Sequence, residues 1–119
     1  MGKGRDSVIK FMREKVIQVP TDADNTALAA ASPINHLHSN CPPMFIIHGK
    51  PDSLLCYEEA EDFVHAAHEQ SIEQIQLHLV EGAQHAFEIF YTPATFYFIH
   101  TVCAYLNQQL ALHSNNLNE

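Results

Sequence analysis

The apolar positions of this chain change period several times, and each change marks an element. Val8, Ile9, Phe11, Met12 and Val16 form one side of a segment whose other side carries Lys10, Arg13, Glu14 and Lys15. That spacing predicts a helix, which Asp6 or Ser7 is placed to cap and which ends before Pro20. From 20 to 43 no period is sustained, and Pro20, Pro33, Pro42 and Pro43 stand among scattered Asp and Asn. This predicts a loop, with a helical turn at Thr26 to Ala31. Loops of that length are uncommon in compact domains, so the segment suits a lid or a stretch lying across something else. Met44-Phe45-Ile46-Ile47-His48, closed by Gly49, predicts a short strand covered on both faces. Glu58 to Gln70 carries Ala60, Phe63, Val64 and Ala67 on one face and predicts a helix over a sheet. Gln76 to Val80 predicts a second strand, stopped at Gly82. From Pro93 onward, Phe96, Ile99, Val102, Cys103, Leu106 and Leu110 recur at three- and four-residue steps, which predicts a long final helix with Pro93 in its first turn.

Strand, helix, strand, helix is a βαβ unit with one more helix, and a right-handed crossover makes its strands parallel. The fold class is therefore α/β. Residues 1–40 read as a cap-like helix and loop, 41–113 as the βαβα unit, and 114–119 as a polar, frayed tail. Two parallel strands leave an unpaired edge on each side, so more sheet is expected beside them.

Composition narrows the picture. At 119 residues the chain is one domain or a piece of one, and 46% apolar with 17% charged residues excludes intrinsic disorder. Six Lys and Arg against 14 Asp and Glu give a net charge of -8, the wrong sign for holding nucleic acid or an anionic membrane. Nine histidines reduce that charge as the pH falls through about 6.5. Cys41, Cys56 and Cys103 are odd in number and lack a CxxC spacing, so they read as reduced thiols. No stretch approaches the ~20 apolar residues of a membrane span, and no apolar signal core follows the charged opening, so the expected location is the cytoplasm.

In parallel sheets, reacting groups gather outside the carboxyl ends of the strands. The loop after the first strand reads His48-Gly49-Lys50-Pro51-Asp52-Ser53, and the loop after the second reads Glu81-Gly82-Ala83-Gln84-His85-Ala86-Phe87. On neighbouring strands, Asp52 and His85 can share a hydrogen bond that fixes one imidazole nitrogen and frees the other as a general base. Each also has a plainer role. Asp52 in a Pro-Asp-Ser turn can bond nearby backbone amides, and His85 can be a half-buried loop residue.

With Ala31-Ser32-Pro33-Ile34 upstream, the runs from Cys41 to Asp52 and from Leu79 to Phe87 resemble the C-terminal part of α/β-hydrolase-fold serine carboxylesterases and lipases of the bacterial esterase type. The resemblance spans about Ser7 to Leu112. It rests on His-Gly-x-x-Asp followed by Gly-Ala-x-His-x-Phe, and it implies Asp52 as triad acid and His85 as triad base, with the serine upstream. It further implies short or medium acyl esters as substrates, no cofactor and no metal. Residues 20–40 and Phe87 to Tyr91 would lie near the pocket mouth. Yet none of the four glycines, Gly2, Gly4, Gly49 and Gly82, flanks a serine as Gly-x-Ser-x-Gly, and no Gly-rich oxyanion loop is present. The expectation is the acid and base portion of an ester hydrolase, inactive until an upstream segment supplies the serine. The alternative is a non-catalytic scaffold that self-associates or binds a partner through its open sheet edge. His36 with His38, and His65 with His68, each offer two metal ligands without a third, and read as solvated or half-buried histidines.

Overall fold

The computed structural model describes residues 3–18 and 25–116. Helix α1 spans Lys3–Phe11 and widens into a π-helical turn, Met12–Ile17, which ends at Gln18 in the left-handed conformation (φ 58°). Asp6 and Ser7 therefore lie inside the helix and do not cap it. Pro20 and the acidic stretch after it lie outside the described residues.

The expected loop holds its helical turn at the expected residues and one further turn that its composition did not suggest. Helix α2 spans Thr26–Ala31, and a 3₁₀ turn follows at Pro33–His36. Strand β1 is Met44–Gly49, helix α3 Tyr57–Glu69, strand β2 Ile75–Val80, and helix α4 Pro93–Asn116, with a 3₁₀ turn at Phe87–Ile89 before it. Helix α4 thus runs into the segment expected as a tail, of which 117–119 lie outside the described residues.

The two strands are parallel and in register from Met44 opposite Ile75 to Gly49 opposite Val80. Their side chains alternate between two helices, as the pleat requires. Met44, Ile46, Ile75 and Leu77 meet Val64, Ala67 and Ile72 in a cluster on the α3 side. On the other face Ile47, Val80, Ala83 and Phe87 meet Ala94 and Phe98, and Phe45 stacks on Tyr105 at 4.8 Å between ring centroids. A helix therefore covers each face of the sheet, although Met44 to His48 stay half-buried because the sheet is only two strands wide.

The apolar stripe that marked α4 has a different fate from the one its periodicity implied. Phe96, Ile99, Leu106 and Leu110 are all exposed, and the helix rests on the sheet through Ala94, Tyr97, Phe98 and Tyr105. No helix among the described residues is long and apolar enough to cross a membrane.

Candidate active site

Because β1 and β2 are parallel and end opposite each other, the loops that follow them leave from one end of the sheet. Two devices hold these loops together. Gly49, the last residue of β1, is buried against the chain after β2, where a Cβ in its place would lie 2.1 Å from the Ala83 carbonyl oxygen. Beyond that contact, Gly82 takes a φ of +72° and Ala86 a φ of 55°, so the loop turns sharply on both sides of His85. Its far end is anchored by Thr95, a buried residue of α4 whose hydroxyl donates to the carbonyls of Phe87 (3.1 Å) and Phe90.

Asp52 uses both carboxylate oxygens. Oδ1 accepts the backbone amides of Leu54 (2.8 Å) and Leu55 (2.9 Å), closing a tight Asp-led turn. Oδ2 accepts Nδ1–H of His85 at 2.8 Å. The two readings open at the sequence level, turn former and imidazole partner, are thus one geometry. The Asp52 side chain is 4% exposed, whereas that of His85 is 44% exposed, with no partner for Nε2 among the described residues. The site is a cavity of about 200 Å³ lined by His48, Gly49, Asp52, Leu55, His85 and Phe87.

Burial pushes the Asp52 carboxyl up, but the Leu55 amide, the His85 ring and the Leu54 amide together outweigh it and hold the group below the ordinary 3.8. A carboxylate whose pKa is depressed on folding adds stability that is complete above its unfolded value and disappears as the pH falls through the folded one. Comparing acid unfolding of the natural chain with Asp52→Asn reads that contribution directly. The natural chain should be the more stable at pH 6, and the difference should close as the pH falls below 3.8. A gap that persists at pH 2 would assign the effect to shape rather than charge.

The remaining candidates are dispersed. His36 Nε2–H donates to the Ala30 carbonyl (2.6 Å) and His68 Nε2–H to the Ile75 carbonyl (3.0 Å), while His65 lies 3.6 Å from Glu69 on the surface of α3. Among the described residues, no group of three His, Cys, Asp or Glu side chains converges. Of the residues expected at a pocket mouth, Phe87 lines the site itself. Ser32, Pro33 and Ile34 instead line a larger apolar cavity of about 670 Å³ beside β1, which meets the first at His48 and Leu55. Sequence reasoning assigned no task to His48, Gly49 or Thr95. Their roles depend on contacts across the two loops, and only the His-Gly pair at a strand end hinted at them.

Comparison with known proteins agrees with this architecture. A family model described as the prolyl oligopeptidase family matches residues 3–113. Esterase LipC of Mycobacterium tuberculosis is 30% identical over 104 residues, which is 87% of this chain and 26% of LipC. The probable carboxylic ester hydrolase LipM of the same organism is 28% identical over 82 residues, 69% of this chain and 19% of LipM. Among solved structures, a thermophilic esterase from the planctomycete Thermogutta terrifontis superposes with a TM-score of 0.63 at 23% identity, covering 80% of this chain and 37% of that one. The chain thus spans about a quarter or less of the curated relatives it matches, and its α/β architecture is that of an α/β hydrolase. On the match over residues 3–113, the chain belongs to the prolyl oligopeptidase family.

Proposed function

We propose that this chain supplies the acid and base of a Ser-Asp-His triad in a carboxylic ester hydrolase, the serine being carried by polypeptide outside these residues. One observation carries the reading. Asp52, nearly buried and held by two backbone amides, accepts Nδ1–H of His85 at 2.8 Å and leaves Nε2 accessible.

In that arrangement Nε2 takes the proton of a serine hydroxyl as its oxygen attacks the acyl carbon. The imidazolium formed is stabilised by Asp52, which stays ionised, and the proton then passes to the departing alkoxide. Water repeats the sequence and releases the acid. Donors for the oxyanion come with the serine segment, since the chain has no Gly-rich loop to provide them. The names of the matched relatives favour carboxylic esters as substrates. The family description favours peptides as a second reading, and the same proton transfers serve an amine leaving group.

The decisive assay mixes the chain with a separately produced part of LipC, the part this chain does not match, and follows p-nitrophenyl butyrate alongside a peptide p-nitroanilide. The chain alone should give no more hydrolysis than free imidazole, and the mixture should turn over the ester. A stable complex without turnover of either substrate would favour the non-catalytic scaffold, and turnover of the anilide alone would favour the peptidase reading.

A further inference from the structure

The Asp52 loop runs from Lys50 to Cys56 without regular structure, yet its carboxylate must hold one oxygen at bonding distance from a different loop. Something on a rigid element has to brace it. Pro51 stiffens one end, the Asp52 amide donates to the Gly49 carbonyl at the end of β1 (3.1 Å), and the Asp-led turn closes on itself through Oδ1, but none of these holds the far side of the turn, at Leu55, to the sheet.

His48 does. It lies on β1 one residue before Gly49, with its side chain 16% exposed, and its Nε2 is 3.1 Å from the Leu55 carbonyl oxygen and 3.5 Å from Asp52 Oδ2. A carbonyl only accepts, so Nε2 carries the proton and is spent on Leu55. The 3.5 Å approach to Oδ2 exceeds an ordinary N–H···O bond, so the ring lies beside the carboxylate without competing for it. An unbroken chain of bonds results. Strand β1 holds Leu55 through His48, the Leu55 amide holds Asp52 Oδ1, and Oδ2 holds His85.

Resting on the triad reading above, we infer that His48 is a positioning residue, whose Nε2–H bond to the Leu55 carbonyl ties the Asp52 turn to the sheet and aims Oδ2 at His85. It touches no reacting atom. Its removal should leave strands and helices in place while loosening one hydrogen bond, and that is a signature a packing role does not produce.

The test is the ring-nitrogen NMR spectrum of the full chain labelled with ¹⁵N-histidine, at a pH where the imidazoles are neutral. In the natural chain His85 should be mainly the Nδ1–H tautomer. His48→Phe keeps the ring shape without the donor and should lower the ratio of Nδ1–H to Nε2–H tautomer at His85 about tenfold, the size of one net hydrogen bond. His48→Gln restores a donor and should recover most of the ratio. Asp52→Asn, the control for the triad reading itself, should reverse the preference toward the Nε2–H tautomer. An unchanged ratio in His48→Phe beside a changed one in Asp52→Asn overturns the positioning role alone. An unchanged ratio in Asp52→Asn overturns both readings. Loss of the folded amide spectrum in both His48→Phe and His48→Gln also overturns it, because it would place His48 in the core.

Discussion

In the assembled enzyme, His85→Ala and Asp52→Asn should each lower kcat for ester hydrolysis by about 10⁴-fold while leaving KM within a few-fold, the pattern of groups that act in the transition state. The alanine variant removes the imidazole whose Nδ1 is held by Asp52 and whose Nε2 is left as the working base. The asparagine variant works through the neighbouring turn. In the natural chain the Leu54 and Leu55 amides both point at Oδ1. An asparagine must therefore keep its carbonyl oxygen there, since turning its amino group toward two N–H donors would leave all three unpaired. The amino group then faces His85 and can only donate, so Nδ1 becomes the acceptor and the proton moves to Nε2. A base already protonated on its working nitrogen cannot accept from serine. Steady-state kinetics of the complemented mixture check both variants, and unchanged turnover in either would falsify the triad assignment.

That argument shows where sequence reasoning reaches and where it stops. Strands at Met44 and Gln76, and helices before Gln70 and after Pro93, were legible because apolar period and Gly or Pro punctuation are local properties. The partners of those elements are not local. The stripe Phe96, Ile99, Leu106 and Leu110 marked a helix correctly, yet the helix presents those residues outward and touches the sheet through others. The π-helical end of α1 likewise follows no residue signal, and Asp6 looked like a cap only because α1 begins at Lys3, before its apolar spacing does. At the site, Asp52 and His85 could be paired from sequence because parallel strands bring successive loops to one end. His48 could not, because its partner Leu55 is chosen by how the Asp52 turn folds back.

Gly49 makes the same point with a larger expected effect. The sequence offers two glycines at the site, and the structure gives them opposite reasons. Gly82 needs its left-handed φ of +72°, with nothing within 4 Å of a would-be Cβ, so Gly82→Ala should cost only the backbone strain of about 1–2 kcal/mol. Gly49 has no such conformation to defend. A Cβ there would stand 2.1 Å from the Ala83 oxygen and 2.7 Å from its carbonyl carbon, both backbone atoms of a buried residue. No rotamer change relieves that overlap. Either the end of β1 retreats from Val80, breaking the Lys50 amide bond to the Val80 carbonyl (3.0 Å), or the 83–84 backbone moves away and takes His85 with it. Gly49→Ala should therefore cost about 3 kcal/mol or more, the upper range for overpacking a tight site. In the complemented enzyme a displacement of His85 by about 1 Å should lower kcat a further 10²-fold. Thermal unfolding and ester turnover, measured on both glycine variants, separate the two explanations. If Gly49→Ala melts and turns over like Gly82→Ala, the close approach of the two loops is not what brings His85 to Asp52.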